Sequence, residues 1–209
     1  DRIEVLKGPG SALFGVAGPG GSINIITKKP RNQFDLTAGT MLGSFGTRNG
    51  FVDLTGSLGQ RFAGRAIANL EHTDGFRGLE RNIFEASPSL LWRLADDKTL
   101  LIDYDHREMK IKPDNYGILF DFNSDIANVS RNNRYYSPFN KTDHTINRLG
   151  LTHNWAISDT LSMRTAFVYD ARTLEIVRNG GGNQGNAQGV STGRDARQQF
   201  DNAGYTILQ

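Results

Sequence analysis

Asp103 and Asp105 stand two residues apart, a spacing that puts both carboxylates on one face of an extended chain. Proton transfer between paired acids is one chemistry open to them. Lining a wet, charged surface is the other. Gly18-Pro19-Gly20-Gly21-Ser22 has the glycine density of a phosphate loop, but no Gly-Lys-Ser/Thr and no helix follow, so nucleotide binding is not expected. His72, His106, His144 and His153 are scattered with no pair at ligand spacing on one face, and the chain has no cysteine. No resident metal or cofactor is therefore expected, and no enzyme constellation emerges. The densest set of binding-type side chains is Tyr116, Phe120, Phe122, Tyr135, Tyr136 and Phe139, all in one long connector. Exposed aromatics carry a hydration cost, which either ligand capture or packing of the connector against itself would offset. Tyr116, Tyr135 and Tyr136 are taken as the candidate ligand contacts.

The elements that must position these groups have an ordinary composition. Hydrophobic residues make up 37% and charged residues 22% of the chain, and mean hydropathy is −0.46. Membrane β-barrels share such averages, because lipid-facing and lumen-facing residues alternate along each strand. A net charge of +2 argues against a nucleic-acid partner. Residues 2–30 read as two short strands around a glycine loop, with Ser11 to Phe14 able to form one helical turn. So small a piece cannot bury a core alone.

From residue 34 onward, period-two segments predict strands near 34–43, 49–58, 61–71, 83–94, 99–109, 146–157, 160–172 and 198–208. Each is long enough for a tilted strand to cross a bilayer, which needs ~9–11 residues. In the third, Phe62, Gly64, Ala66, Ala68 and Leu70 oppose Ala63, Arg65, Ile67, Asn69 and Glu71. Connectors alternate between short (59–60, 95–98, 158–159) and longer (44–48, 72–82, 110–145, 173–197). Short periplasmic turns and long outer loops give this alternation, and a soluble β-sandwich does not. Phe34, Phe62, Trp92 and Trp155 lie on the apolar face near the short-turn ends, where an interfacial aromatic girdle belongs.

Arg2-Ile3-Glu4-Val5-Leu6-Lys7-Gly8-Pro9, the small-residue stretch ending Phe14-Gly15, and Gly20-Gly21-Ser22-Ile23-Asn24-Ile25-Ile26-Thr27-Lys28 together resemble the end of the plug domain in TonB-dependent outer-membrane receptors, in their ferric-siderophore branch. Gly43-Ser44-Phe45-Gly46-Thr47-Arg48 looks like the hairpin after that family's first barrel strand. Phe14 departs from the commoner tyrosine and Gly10 from the commoner alanine or serine. The resemblance implies an all-β chain, with residues 1–32 ending a plug and 33–209 supplying about eight strands of a transmembrane barrel of about 22 strands.

The activity implied is TonB-dependent import of a ferric siderophore across the bacterial outer membrane. The partners would be outer-membrane lipid, the siderophore and the TonB complex, reached through a TonB box on an absent N-terminal segment. The complete protein would be a monomer. Iron would arrive as cargo inside its chelator. Phe14 would face substrate from the plug loop, and Arg2 would pair with barrel carboxylates. Asp1 is followed by no signal-peptide pattern, so a missing leader is expected. Cobalamin, haem or a glycan as cargo, and a small closed eight-stranded barrel with no transport role, stay open as alternatives.

Overall fold

The computed structural model describes residues 2–7, 21–113, 120, 125–181 and 194–208. Two short antiparallel strands, β1 (Arg2–Lys7) and β2 (Gly21–Ile26), form a separate ribbon. A single eight-stranded antiparallel sheet follows, with each strand paired to its sequence neighbour. Its members are β3 (Asp35–Leu42), β4 (Arg48–Ser57), β5 (Phe62–Thr73), β6 (Arg81–Ala95), β7 (Lys98–Ile111), β8 (Lys141–Ser158), β9 (Leu161–Gly181) and β10 (Arg194–Leu208). Strands β3 and β10 are the two edges and do not pair with one another. The sheet is therefore not the closed eight-stranded barrel kept as an alternative. No second sheet covers its apolar face among the described residues, so it is not a sandwich either.

Register fixes the two faces. Phe62, Leu70, Phe84, Trp92, Leu149, Met163 and Tyr169 share one face, and all of them but the half-buried Phe62 stay exposed. The other face holds Asp53, Thr55, Ala63, Arg65 and Asp170, all buried. This is apolar outside and polar inside, the reverse of a soluble domain and the arrangement that lipid requires. Phe62 stacks on its cross-strand partner Trp92 at 5.6 Å between ring centroids. One strand pair further on, the Lys98 ammonium sits 4.5 Å from the Trp155 ring centre. Trp155 Nε1 also donates to Asp97 Oδ2 at 2.8 Å. These contacts ring the short-turn end, as expected for an interfacial girdle.

The described turns are 58–61, 96–97 and 159–160 on that end, against 43–47 and 74–80 on the other, where the longer stretches between β7 and β8 and between β9 and β10 also fall. The sequence reading undershot β8, β9 and β10 at their outer ends. There the outward face turns polar, with Thr145, Asp143 and Lys141 on β8 and Thr173 and Glu175 on β9, while Leu174 and Ile176 point inward, so the apolar-out alternation that marks the lower strands is lost although the ladder continues. Pro88 sits inside β6, and the β6–β7 register skips residues 87–88, where proline has no N–H to offer.

Candidate functional site

Beyond Ile26 the chain runs as an extended tail over the polar face of β4 and β5 and then enters β3. Asp53 and Arg65 are neighbours on that face, 6% and 8% exposed. Arg65 grips Asp53 with two parallel bonds, Nε to Oδ1 at 2.8 Å and Nη2 to Oδ2 at 2.5 Å. Lys28 Nζ reaches Asp53 Oδ2 at 2.7 Å from the tail. The remaining Arg65 Nη1 donates to the Lys29 carbonyl at 3.1 Å. Arg31 N donates to Thr55 Oγ1 at 2.9 Å, and Ser57 N to the Asn32 carbonyl at 3.0 Å. A buried carboxylate is tolerated only when its lone pairs are filled, and here two cations fill them. The arrangement latches the tail of the first unit onto the inner wall of the second.

Between the tail and the sheet the ion pair is made by Lys28, whereas the sequence expectation of such a pair fell on Arg2. Arg2 instead lies 2.6 Å from Glu4 on its own strand, with a largely exposed side chain. Lys28 stood inside the quoted motif, but its partner was not legible. An inward-facing aspartate differs from any other lumen carboxylate only through what lies across from it. Asp103 and Asp105 do share the inner face, and Asp105 registers with Arg148, which registers with Asp170. Arg172 Nε donates to Asp170 Oδ1 at 2.8 Å. Asp105 and Asp170 thus face cations on this inner face, while Asp103 lies across from Ser89 and Gly150. Among the described residues no group of three or more His, Asp or Glu side chains is placed to hold a metal.

The outer ends are tied together by their loops. Hairpin 43–47 turns with positive φ at both Phe45 (58°) and Gly46 (66°), the geometry that suits a tight two-residue β-turn. Phe45 is not a glycine, so its conformation needs support. Asp74 N donates to its carbonyl at 2.9 Å, and its ring meets Phe76 edge-on at 5.7 Å. The Arg131 guanidinium lies 5.2 Å from the same Phe76 ring. Lys112 Nζ bonds Glu80 Oε2 at 2.6 Å, and with Asn82 it holds the Glu80 carboxyl below the usual carboxylate range. Loops 43–47 and 74–80 and the described residues between β7 and β8 thus form one connected rim.

Two of the candidate aromatics belong to that rim's structure. Tyr135 is 7% exposed, packed on Ala127 and Val129, and its hydroxyl accepts from Asn133 Nδ2 at 3.2 Å. Tyr136 Oη lies 2.6 Å from the Arg77 carbonyl and 2.9 Å from that of Gly78, where its proton is donated. Tyr135 leaves little surface for a ligand, and Tyr136 is a loop pin. Both make packing and hydrogen-bonding contacts within the loops. Phe14 and Tyr116 lie outside the described residues.

No family model matches the chain. Over 116 residues it is 30% identical to the catecholate siderophore receptor Fiu of Escherichia coli K12, a stretch covering 54% of this chain and 15% of that protein. Over 106 residues it is 32% identical to the metal-pseudopaline receptor CntO of Pseudomonas aeruginosa, covering 49% and 15% respectively. The chain therefore spans about 15% of the length of these curated relatives. The crystal structure of Fiu in its open form superposes with a TM-score of 0.80 at 22% identity, over 99% of this chain and 34% of that one. The pyoverdine outer-membrane receptor FpvA from P. aeruginosa, bound to pyoverdine, gives 0.85 at 20% identity, over 100% and 31%.

Proposed function

We propose, for a chain whose homologues and structural neighbours are TonB-dependent siderophore receptors, that the whole protein imports a ferric siderophore across the outer membrane of a Gram-negative bacterium. Residues 1–32 end its plug and 33–209 begin its barrel wall. The observation that carries this reading is the Lys28–Asp53–Arg65 latch beneath an apolar-out sheet. A plug tail fastened inside a membrane-spanning wall is the anatomy of a gated importer, and an adhesive or purely structural barrel has no use for it. The substrate class is supported by the relatives' names, one a catecholate siderophore receptor and another described with pyoverdine bound. Energy would come from the TonB complex acting on an N-terminal box. The receptor would perform no covalent chemistry of its own, and iron would pass through as chelated cargo.

Phe14 and Tyr116 are the proposed substrate contacts. Aromatic faces give a bulky chelate large, rigid contact area at low entropic cost. The test is direct binding of a panel of ferric siderophores, haem and cobalamin to the full-length receptor, repeated with Phe14→Ala. A ferric siderophore should bind tightest, and the variant should lose ~1–3 kcal/mol of affinity. Tight binding of haem or cobalamin with no siderophore response would replace the substrate class. An unchanged affinity in the variant would remove Phe14 from the site.

A further inference from the structure

We propose that Arg178 on β9 and Arg197 on β10 form an oxyanion site on the inner wall at its loop end, and that the cargo is a ferric chelate of net negative charge. This rests on the import reading above and narrows its substrate class.

The two arginines are direct cross-strand partners. Side chains at such positions leave the sheet about 5 Å apart, and like charges set there destabilise the pairing. The β9–β10 register runs unbroken from Asp170 to Gly181, so Arg178 lies on the same inner face as the buried Asp170, with Arg197 beside it. Both arginines are exposed. Neither has an ion-pair partner among the described residues.

Nearby carboxylates are engaged elsewhere or absent. Asp170 accepts from Arg172 Nε at 2.8 Å. Asp201, four residues along β10 on the same face, accepts from Gln199 Nε2 at 2.8 Å. Glu175 faces outward, where Lys141 Nζ donates to it at 2.8 Å. Asp195 registers with Gly180, beyond the pair. The connector from Gly182 to Gly193 contains no Asp or Glu in its sequence. Elsewhere in the sheet and its rim Asp53, Glu71, Glu80 and Glu85 each meet a cation. Two adjacent cations left unanswered in such a wall call for a counter-charge from outside the chain.

A planar guanidinium presents paired N–H donors that match a carboxylate or another close pair of oxyanion oxygens. Two of them side by side grip such an edge and turn their own repulsion into attraction. Below Arg178 on the inner face come Ile176 and Leu174, half-buried and apolar, a surface for the carbon framework of a chelate. A neutral chelate gains little from the pair, and a cationic one is repelled. Cations at a concave mouth also raise the local concentration of anionic cargo.

The experiment uses the full-length receptor and three ferric chelates that differ in charge: an anionic tris-catecholate, a neutral tris-hydroxamate, and a cationic tris-hydroxamate with a free ammonium group. Wild type should prefer the anionic chelate by about tenfold or more, and the preference should shrink as salt is raised. Arg178→Gln with Arg197→Gln should abolish the preference, whereas Arg178→Lys with Arg197→Lys should keep part of it. Without ligand, the glutamine variant should unfold at the same or a higher denaturant concentration than wild type, because a repulsion has been removed. Arg164→Gln, on the same face at the short-turn end, should leave all three affinities unchanged. Four results would overturn the site while leaving import standing: a wild-type preference for the neutral or cationic chelate, an intact preference in the glutamine variant, an equal loss with Arg164→Gln, or a lowered denaturation midpoint in the glutamine variant. Failure of all three chelates to bind would sink the import reading, and this site with it.

Discussion

Asp53 joins three segments, accepting from Arg65 on the next strand and from Lys28 on the incoming tail, while Arg65 goes on to hold the Lys29 carbonyl. Taking away the carboxylate leaves an arginine that is 6% exposed at its side chain with no counter-charge. Breaking a buried pair in this way costs ~3–5 kcal/mol, whereas replacing both partners by apolar groups costs far less. Asp53→Ala in the full-length receptor is therefore expected to lower the denaturation midpoint markedly. Asp53→Ala combined with Arg65→Met should recover much of the loss. Chemical unfolding of the reconstituted protein checks both, and equal midpoints for the single and double variants would show that the pair is not coupled.

At the level of strands, the two faces of β5 and β6 make opposite demands on a charge. Ala66 points to lipid, and arginine there near the bilayer midplane should cost ~2–4 kcal/mol. Its inward counterpart for comparison is Ser87, which registers with Ile67 on the half-buried lumen side. Ser87→Arg should cost much less, and folding titrations into lipid vesicles that gave equal costs would reverse the facing of the sheet. Ala63, the nearer inward alanine, is unsuitable because it is 1% exposed and would be overpacked. The strands were legible in sequence wherever one face was lipid, since Phe62 to Leu70 and Phe84 to Trp92 alternate cleanly. They were not legible at the tops of β8 and β9, where the outward face turns polar at Asp143 and Glu175 and the apolar Leu174 and Ile176 lie on the inner side. The Lys28–Asp53 contact of the latch and the role of Tyr136 escaped for a different reason. They depend on partners 25 and 59 residues away, and spacing within one segment holds no trace of them.

For the molecule as a whole, the two unpaired edges β3 and β10 decide how it behaves alone. An open edge in hydrocarbon leaves backbone groups without partners, each costing several kcal/mol. Residues 33–209 refolded by themselves in detergent should aggregate, and size-exclusion chromatography should find no monodisperse species. A monodisperse, heat-modifiable band would instead mean that the two edges can meet.

The latch also bears on the order in which the protein is put together. Its bonds join residues 25 and 36 positions apart, from the tail before β3 to β4 and β5. Closing loops of that length carries a small entropic cost, and every strand pairs with the one just made. The tail is then seated on the wall while the later strands are still unpaired. On the proposed reading of residues 1–32 as the end of a plug, assembly would close the barrel around a plug already fastened to β4 and β5, so the plug would not have to be threaded into a finished cylinder.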